Sequence, residues 1–215
     1  MNFITFLGAL LVTSIPAVAG VLTFTSSSAF HAASSITNLE TFEGFSQGYL
    51  DNPFTTNGIT FTQLAGGHPN IIPYISDPGN VGNAFEPPTK TLDANGDENF
   101  RIQLASASTF TAFGLDVLTN QFGAPVVSLY DASSALIASF ALTQTPNTLG
   151  FFGAISTTPI ASVTVIVDRG WIENTALDNV AIGAASDTPE PAAFGSVALG
   201  LALLALRRRR QSRAQ

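Results

Sequence analysis

From Thr37 to Ile182 the chain never holds one periodic pattern for long, and this interruption limits it to a fold built from short strands. β-rich runs occur at Thr37–Phe45, Gly58–Leu64, Asn70–Ile75, Lys90–Asp93, Asn99–Ala105, Thr109–Leu118, Val126–Tyr130, Leu136–Leu142, Thr148–Ala154, Ala161–Val167 and Ala176–Ile182, separated by Gly, Pro, Asn and Asp. None of the intervening stretches reads as a long amphipathic helix. Where strand phase is clear, it is that of a half-buried strand. Ala161, Val163, Val165 and Val167 share one face while Ser162 and Thr164 take the other, and Phe113, Leu115 and Val117 oppose Gly114 and Asp116. Asn95-Gly96 predicts a two-residue hairpin turn between Lys90–Asp93 and Asn99–Ala105, and Asp131 to Ala135 joins Val126–Tyr130 to Leu136–Leu142. The expected fold is all-β, a two-sheet antiparallel β-sandwich over residues 36–186 with the abundant Phe filling the space between sheets.

Charge narrows the function classes. Between residues 20 and 186, Lys90, Arg101 and Arg169 stand against thirteen carboxylates, for a net charge near −10. Nucleic acid is therefore excluded as an expected partner, because binding it depends on neutralising phosphates with Lys and Arg. Cysteine is absent, so disulfides, thiolate metal sites and a cysteine nucleophile are excluded as well. His68, in Gly66-Gly67-His68-Pro69-Asn70, is the one imidazole expected in the domain and reads as a polar loop residue. No acid falls in a diagnostic catalytic motif, and the expectation is a protein that is not an enzyme.

The two ends of the chain carry targeting signals. Phe3–Val12 has the length of a signal-peptide apolar region, and Ala17-Val18-Ala19 before Gly20 forms a cleavage pattern, so residues 1–19 are read as a signal peptide with an alternative end near Ala33. At the other end, Pro189-Glu190-Pro191 is followed by an uncharged run at 192–206 and then by Arg207, Arg208, Arg209 and Arg210. Fifteen residues of helix span about 22 Å, short of the roughly 30 Å of a bilayer core. The arginines should remain cytoplasmic, with everything before Pro189 exported.

The sequence T-P-E-P-A-A-F-G-S-V-A-L-G-L-A-L-L-A-L-R-R-R-R resembles the PEP-CTERM sorting signal of Gram-negative bacteria that make extracellular polysaccharide. The resemblance implies that residues 187–215 are a sorting signal with a transmembrane helix at 192–206. It also implies that an exosortase-type processing enzyme reads Pro189, Glu190 and Pro191, and that the protein is destined for the cell envelope, cell surface or extracellular matrix.

The segments F-E-G-F, N-P-F-T-T-N-G-I-T-F-T, V-S-L-Y-D-A-S-S-A-L and A-L-D-N-V-A-I-G resemble the exported domains that precede this tail, which are similar to jelly-roll carbohydrate-binding modules and discoidin-like sandwiches. That resemblance implies a jelly-roll-like sandwich with a structural calcium between first and last strands, with Glu43 and Asp178 as the candidate acids. The alternative places Glu43 at an exposed strand end and makes Asp178 a turn former or cap. A rival acidic stretch, Asp93 to Asn99, lacks the EF-hand order because Gly96 stands at loop position 4 instead of 6, and it reads as a solvated hairpin turn. Trp171, the one tryptophan, lies with Arg169 and Glu173 in a predicted loop where its ring can stack on a sugar; the other reading is that it closes the core. The leading expectation is a structural or adhesive role in the exopolysaccharide or biofilm matrix. A specific carbohydrate-binding module is the alternative, and an extracellular hydrolase is a third reading.

Overall fold

The computed structural model describes residues 20–65, 71–79, 87–96, 98–120, 125–143, 145–167 and 175–186. Among the described residues, fourteen strands and one short helix occur in the order β1 (Val21–Phe24), α1 (Ser27–Ala33), β2 (Ser34–Glu40), β3 (Gly48–Tyr49), β4 (Phe54–Thr56), β5 (Ile59–Gln63), β6 (Ile71–Ser76), β7 (Thr91–Gly96), β8 (Phe100–Leu104), β9 (Phe110–Thr119), β10 (Val126–Tyr130), β11 (Leu136–Ala141), β12 (Gly150–Ile160), β13 (Ser162–Ile166) and β14 (Thr175–Ala185). Strands β1-β12-β9-β14-β7-β6-β3 form sheet A, with β2 also paired to β14, and β11-β10-β13-β8-β5-β4 form sheet B. Every pairing is antiparallel, as the sandwich reading expects.

The core lies between the sheets and follows from strand alternation. Phe113, Leu115 and Val117 of β9 meet Ile102 of β8, Leu129 of β10 and Val163 and Val165 of β13, all with no exposed surface. Phe42, Phe61 and Phe100 are buried in the same cluster, so phenylalanine does fill the space between sheets.

A second, smaller apolar cluster sits on the outer face of sheet A. Ser26 caps α1 by accepting from Ala29 N, and Ser34 Oγ donates to Phe30 O at 2.7 Å where the helix ends. This seven-residue helix buries Phe30 against Ala112 and Ala181, beside the rings of Phe24 and Phe151. The floor beneath that ring is Gly114, paired directly with Gly153. A Cβ at either glycine would stand 2.8 Å from a Phe30 ring carbon, so the absence of side chains there makes room for the helix.

Three readings change. Asn95 and Gly96 do not turn a hairpin: they pair with Ile72 and Ile71 inside β7, which belongs to sheet A, whereas β8 belongs to sheet B. The chain therefore crosses between sheets there, and the turn propensity of Asn-Gly yields to ladder hydrogen bonds with β6. The acids flanking that turn are not solvated either. Asp93 is fully buried and accepts from Ser76 Oγ at 2.7 Å, and Glu98 and Asn99 are also buried. Finally, β1, α1, β3 and β4 escape the run-based reading because each is too short to show a period.

Candidate functional site

Sheet B leaves its outer face free of any described helix, and strand alternation decides what that face carries. Ile102, Val163 and Leu129 point into the core, so Arg101 and Gln103 of β8, Ser162 and Thr164 of β13 and Tyr130 of β10 point out. These side chains, with Asp131, Ala132 and Ser134 of the β10–β11 turn, line an open groove of about 410 Å³.

The turn is rigidly built. Asp131 Oδ1 accepts from Ser133 N at 2.8 Å, Ser133 Oγ at 2.7 Å and Ala135 N at 2.9 Å, while Ser134 takes a left-handed φ of 64°. The Ser133 hydroxyl and then the Ala135 amide hold the Asp131 carboxyl below its ordinary range, so it stays ionised at the groove rim. The β10–β11 hairpin expected from the sequence thus forms, and its Asp organises it.

Beneath the groove floor lies a buried polar atom without a partner. Thr164 is only 7% exposed, and its Oγ1 has no hydrogen-bond partner. A buried hydroxyl without a partner costs about 1–3 kcal/mol, and this one is shielded from solvent beneath the groove surface. Arg101 makes no ion pair among the described residues, since the one ion pair found there joins Lys90 to Asp77. One aromatic ring, a guanidinium, a carboxylate, an amide and hydroxyls on a rigid sheet suit a polyhydroxylated ligand. These residues were not singled out from sequence. The signal was present in the outward alternation of R-x-Q, S-x-T and S-x-Y, but it becomes a groove only when three non-sequential strands lie side by side.

The candidate acids Glu43 and Asp178 are brought into electrostatic range. Strands β2 and β14 pair with Val180 opposite Glu40, which makes the early and late strands neighbours. Asp178 is 1% exposed and sits opposite Asp116 on β9, at a bulge where Asn179 adopts a φ of 48°. Burial pushes the Asp178 carboxyl up to about 6; hydrogen bonds from Thr89 and Asn179 N oppose the shift, and Asp116 and Glu43 add to it. Asp116 is likewise raised by burial, against the Asn179 amide and His31.

Asp178 Oδ2 accepts from Thr89 Oγ1 at 2.7 Å, its Oδ1 accepts from Asn179 N at 2.6 Å, and Glu43 Oε1 accepts from Lys90 N at 3.3 Å. Calcium takes six to eight oxygens. The described residues contain no group of three or more acids, histidines or cysteines arranged to hold a metal, so this network is donor-satisfied and needs further oxygens to become a cation site. Glu40 was missed by sequence reasoning. Buried at 3% exposure, it accepts from Phe42 N at 2.6 Å, Thr56 Oγ1 at 2.6 Å and Asn57 Nδ2 at 2.9 Å, tying the loop after β2 to the β4–β5 turn.

His68, Arg169, Trp171, Glu173, Pro189, Glu190, Pro191 and Arg207 to Arg210 lie outside the described residues, as does the expected transmembrane helix at 192–206. No helix among the described residues is long and apolar enough to cross a membrane.

No family model matches this chain, and no curated protein matches it. Among solved structures it is similar to a family 29 carbohydrate-binding module mutant complexed with mannohexaose, at 14% identity and a TM-score of 0.36, covering 74% of this chain and 99% of that one. A mutant complexed with cellulohexaose gives 12% identity, a TM-score of 0.34 and coverage of 80% and 98%. Likeness of this degree does not place the chain in their family.

Proposed function

We propose that this chain is an exported, noncatalytic β-sandwich that binds carbohydrate in the extracellular polysaccharide matrix through the outer face of sheet B. The observation that carries this reading is the open groove on a sheet face free of any described helix, in which Tyr130, Arg101, Gln103 and Asp131 stand side by side. A sugar offers hydroxyls that both donate and accept and an apolar ring face for tyrosine. Glycoside hydrolysis generally uses a pair of carboxylates, and Asp131 is the groove's one carboxylate among the described residues.

The test is affinity electrophoresis of the full chain, in a detergent without a sugar headgroup, through gels containing galactomannan, hydroxyethylcellulose or alginate. Retardation by a polysaccharide that weakens in Tyr130→Ala and Arg101→Ala supports the groove. Equal mobility of wild type in all gels rejects it.

Delivery belongs to the same proposal and rests on sequence: Pro189-Glu190-Pro191, the apolar run and the arginines form a signal read by an exosortase-type enzyme. At the other end, Gly20 N donates to Thr157 Oγ1 at 3.0 Å and β1 pairs in register with β12, which supports cleavage after Ala19. A cut near Ala33 would remove β1 and Phe30 with its apolar cluster. Mass spectrometry of the mature protein should find Gly20 first and no Arg207–Arg210 block. Calcium at Glu43 and Asp178 is a further part of the proposal, supported by the excess negative charge that Asp116 and Glu43 impose on Asp178.

A further inference from the structure

Tyr49 is 61% exposed although it lies in a strand, and it does not stand alone. β3 pairs with β6 so that Tyr49 faces Tyr74, their rings 5.0 Å apart at 63°. Leu50 N donates to Pro73 O at 2.9 Å and extends the backbone contact that holds the pair. Ile72, 42% exposed, is two residues from Tyr74 on the same face. Because Ile75 is in the core, this face is the outer side of sheet A, at the edge formed by β3.

Three such side chains cannot supply the roughly 800 Å² that each partner in a stable protein–protein interface buries. They do suffice for the face of a sugar ring, which presents C–H groups to an aromatic surface. The exposed charge close by in the chain is acidic, Asp51 two residues beyond Tyr49, so an acidic sugar is disfavoured. Rings inclined at 63° cannot lie flat together on one planar surface, which favours a soluble chain whose successive sugars turn.

We infer that Tyr49, Tyr74 and Ile72 form a second site for an uncharged polysaccharide, and that the protein is therefore bivalent and cross-links such chains. The inference rests on the reading of the sheet B groove as a carbohydrate site. The two sites lie on outer faces of sheets packed back to back, about 10 Å apart across the core, and point in opposite directions. One straight glycan segment cannot touch both, whereas two chains can be held together, with the avidity that linked sites confer.

The experiment combines affinity electrophoresis with viscometry of galactomannan and of hydroxyethylcellulose mixed with the full chain, as wild type, Tyr49→Ala, Tyr49→Phe and Tyr130→Ala. A cross-linker raises viscosity to a maximum at an intermediate protein ratio and loses the effect in excess. The expected result is that Tyr49→Ala and Tyr130→Ala each abolish the maximum while keeping part of the gel retardation, and Tyr49→Phe retains both. If Tyr49→Ala matches wild type in viscosity and retardation, the second site is overturned while the groove stands. If Tyr130→Ala matches wild type and Tyr49→Ala loses all retardation, the groove reading fails and bivalence falls with it. Absence of retardation for wild type overturns both.

Discussion

The most exposed weakness in the electrostatics is Asp178, whose carboxyl is raised from 3.8 to about 6 by burial, with Asp116 and Glu43 adding to the effect. An acid whose pKa is higher folded than unfolded binds its proton more tightly in the native state. Its contribution is thus fully present below pH 3.8 and is lost as pH rises through 6. A shift of roughly two pK units corresponds to about 3 kcal/mol at 1.36 per unit, and screening by nearby solvent reduces the working figure to about 1.5 kcal/mol. Asp178→Asn removes the titration and leaves one carbonyl oxygen, which can accept from Asn179 N or from Thr89 Oγ1 but not from both. The substituted amide sets its own constant offset, so the diagnostic quantity is the change with pH of the stability difference between the two proteins. Urea denaturation followed by circular dichroism, from pH 4.5 to 7.5, should show the variant gaining about 1 to 1.5 kcal/mol relative to wild type as pH rises, or roughly 2–6 °C in melting temperature. A difference that stays constant over this range refutes the assigned cause.

Other perturbations test the packing and the ion. Calcium added to chelator-treated wild type should raise the melting temperature, with a linkage gain of about 2.7 kcal/mol at one hundred times the dissociation constant, and Asp178→Asn should blunt the response. Identical melting with calcium and with chelator removes the ion from the proposal. Gly183→Ala should cost about 3 kcal/mol in urea denaturation, because a Cβ there would stand 2.1 Å from Ser35 O and force β2 and β14 apart. A loss under 0.5 kcal/mol contradicts that contact. Phe30→Ala should cost about 3–5 kcal/mol and expose β1 to limited proteolysis, since the ring is fully buried among Phe24, Phe151 and the paired glycines. Unchanged stability and proteolysis would show that α1 is an appendage.

Alternation within single strands was enough to read the sandwich and part of its core. Val163 and Val165, like Phe113, Leu115 and Val117, declare their buried face within a few residues, because a strand repeats every two. The β10–β11 hairpin was legible for the same reason, its turn chemistry being local to Asp131. The expected targeting signals at both ends likewise rest on linear patterns, which are read without a fold.

Tertiary structure decided whatever depends on which strands become neighbours. Asn95-Gly96 looks like a turn in isolation, yet β6 supplies ladder partners that place it inside a strand of the other sheet. Asp93 looks solvated until β6 brings Ser76 to it. Gly114 and Gly153 are ordinary strand interruptions until pairing makes them one floor for Phe30. Arg101, Tyr130 and Thr164 form a groove only across β8, β13 and β10, and Tyr49 meets Tyr74 only across β3 and β6. Sheet surfaces are assembled from residues remote in sequence, so local patterning specifies which side chains face outward, and strand order specifies what they face together.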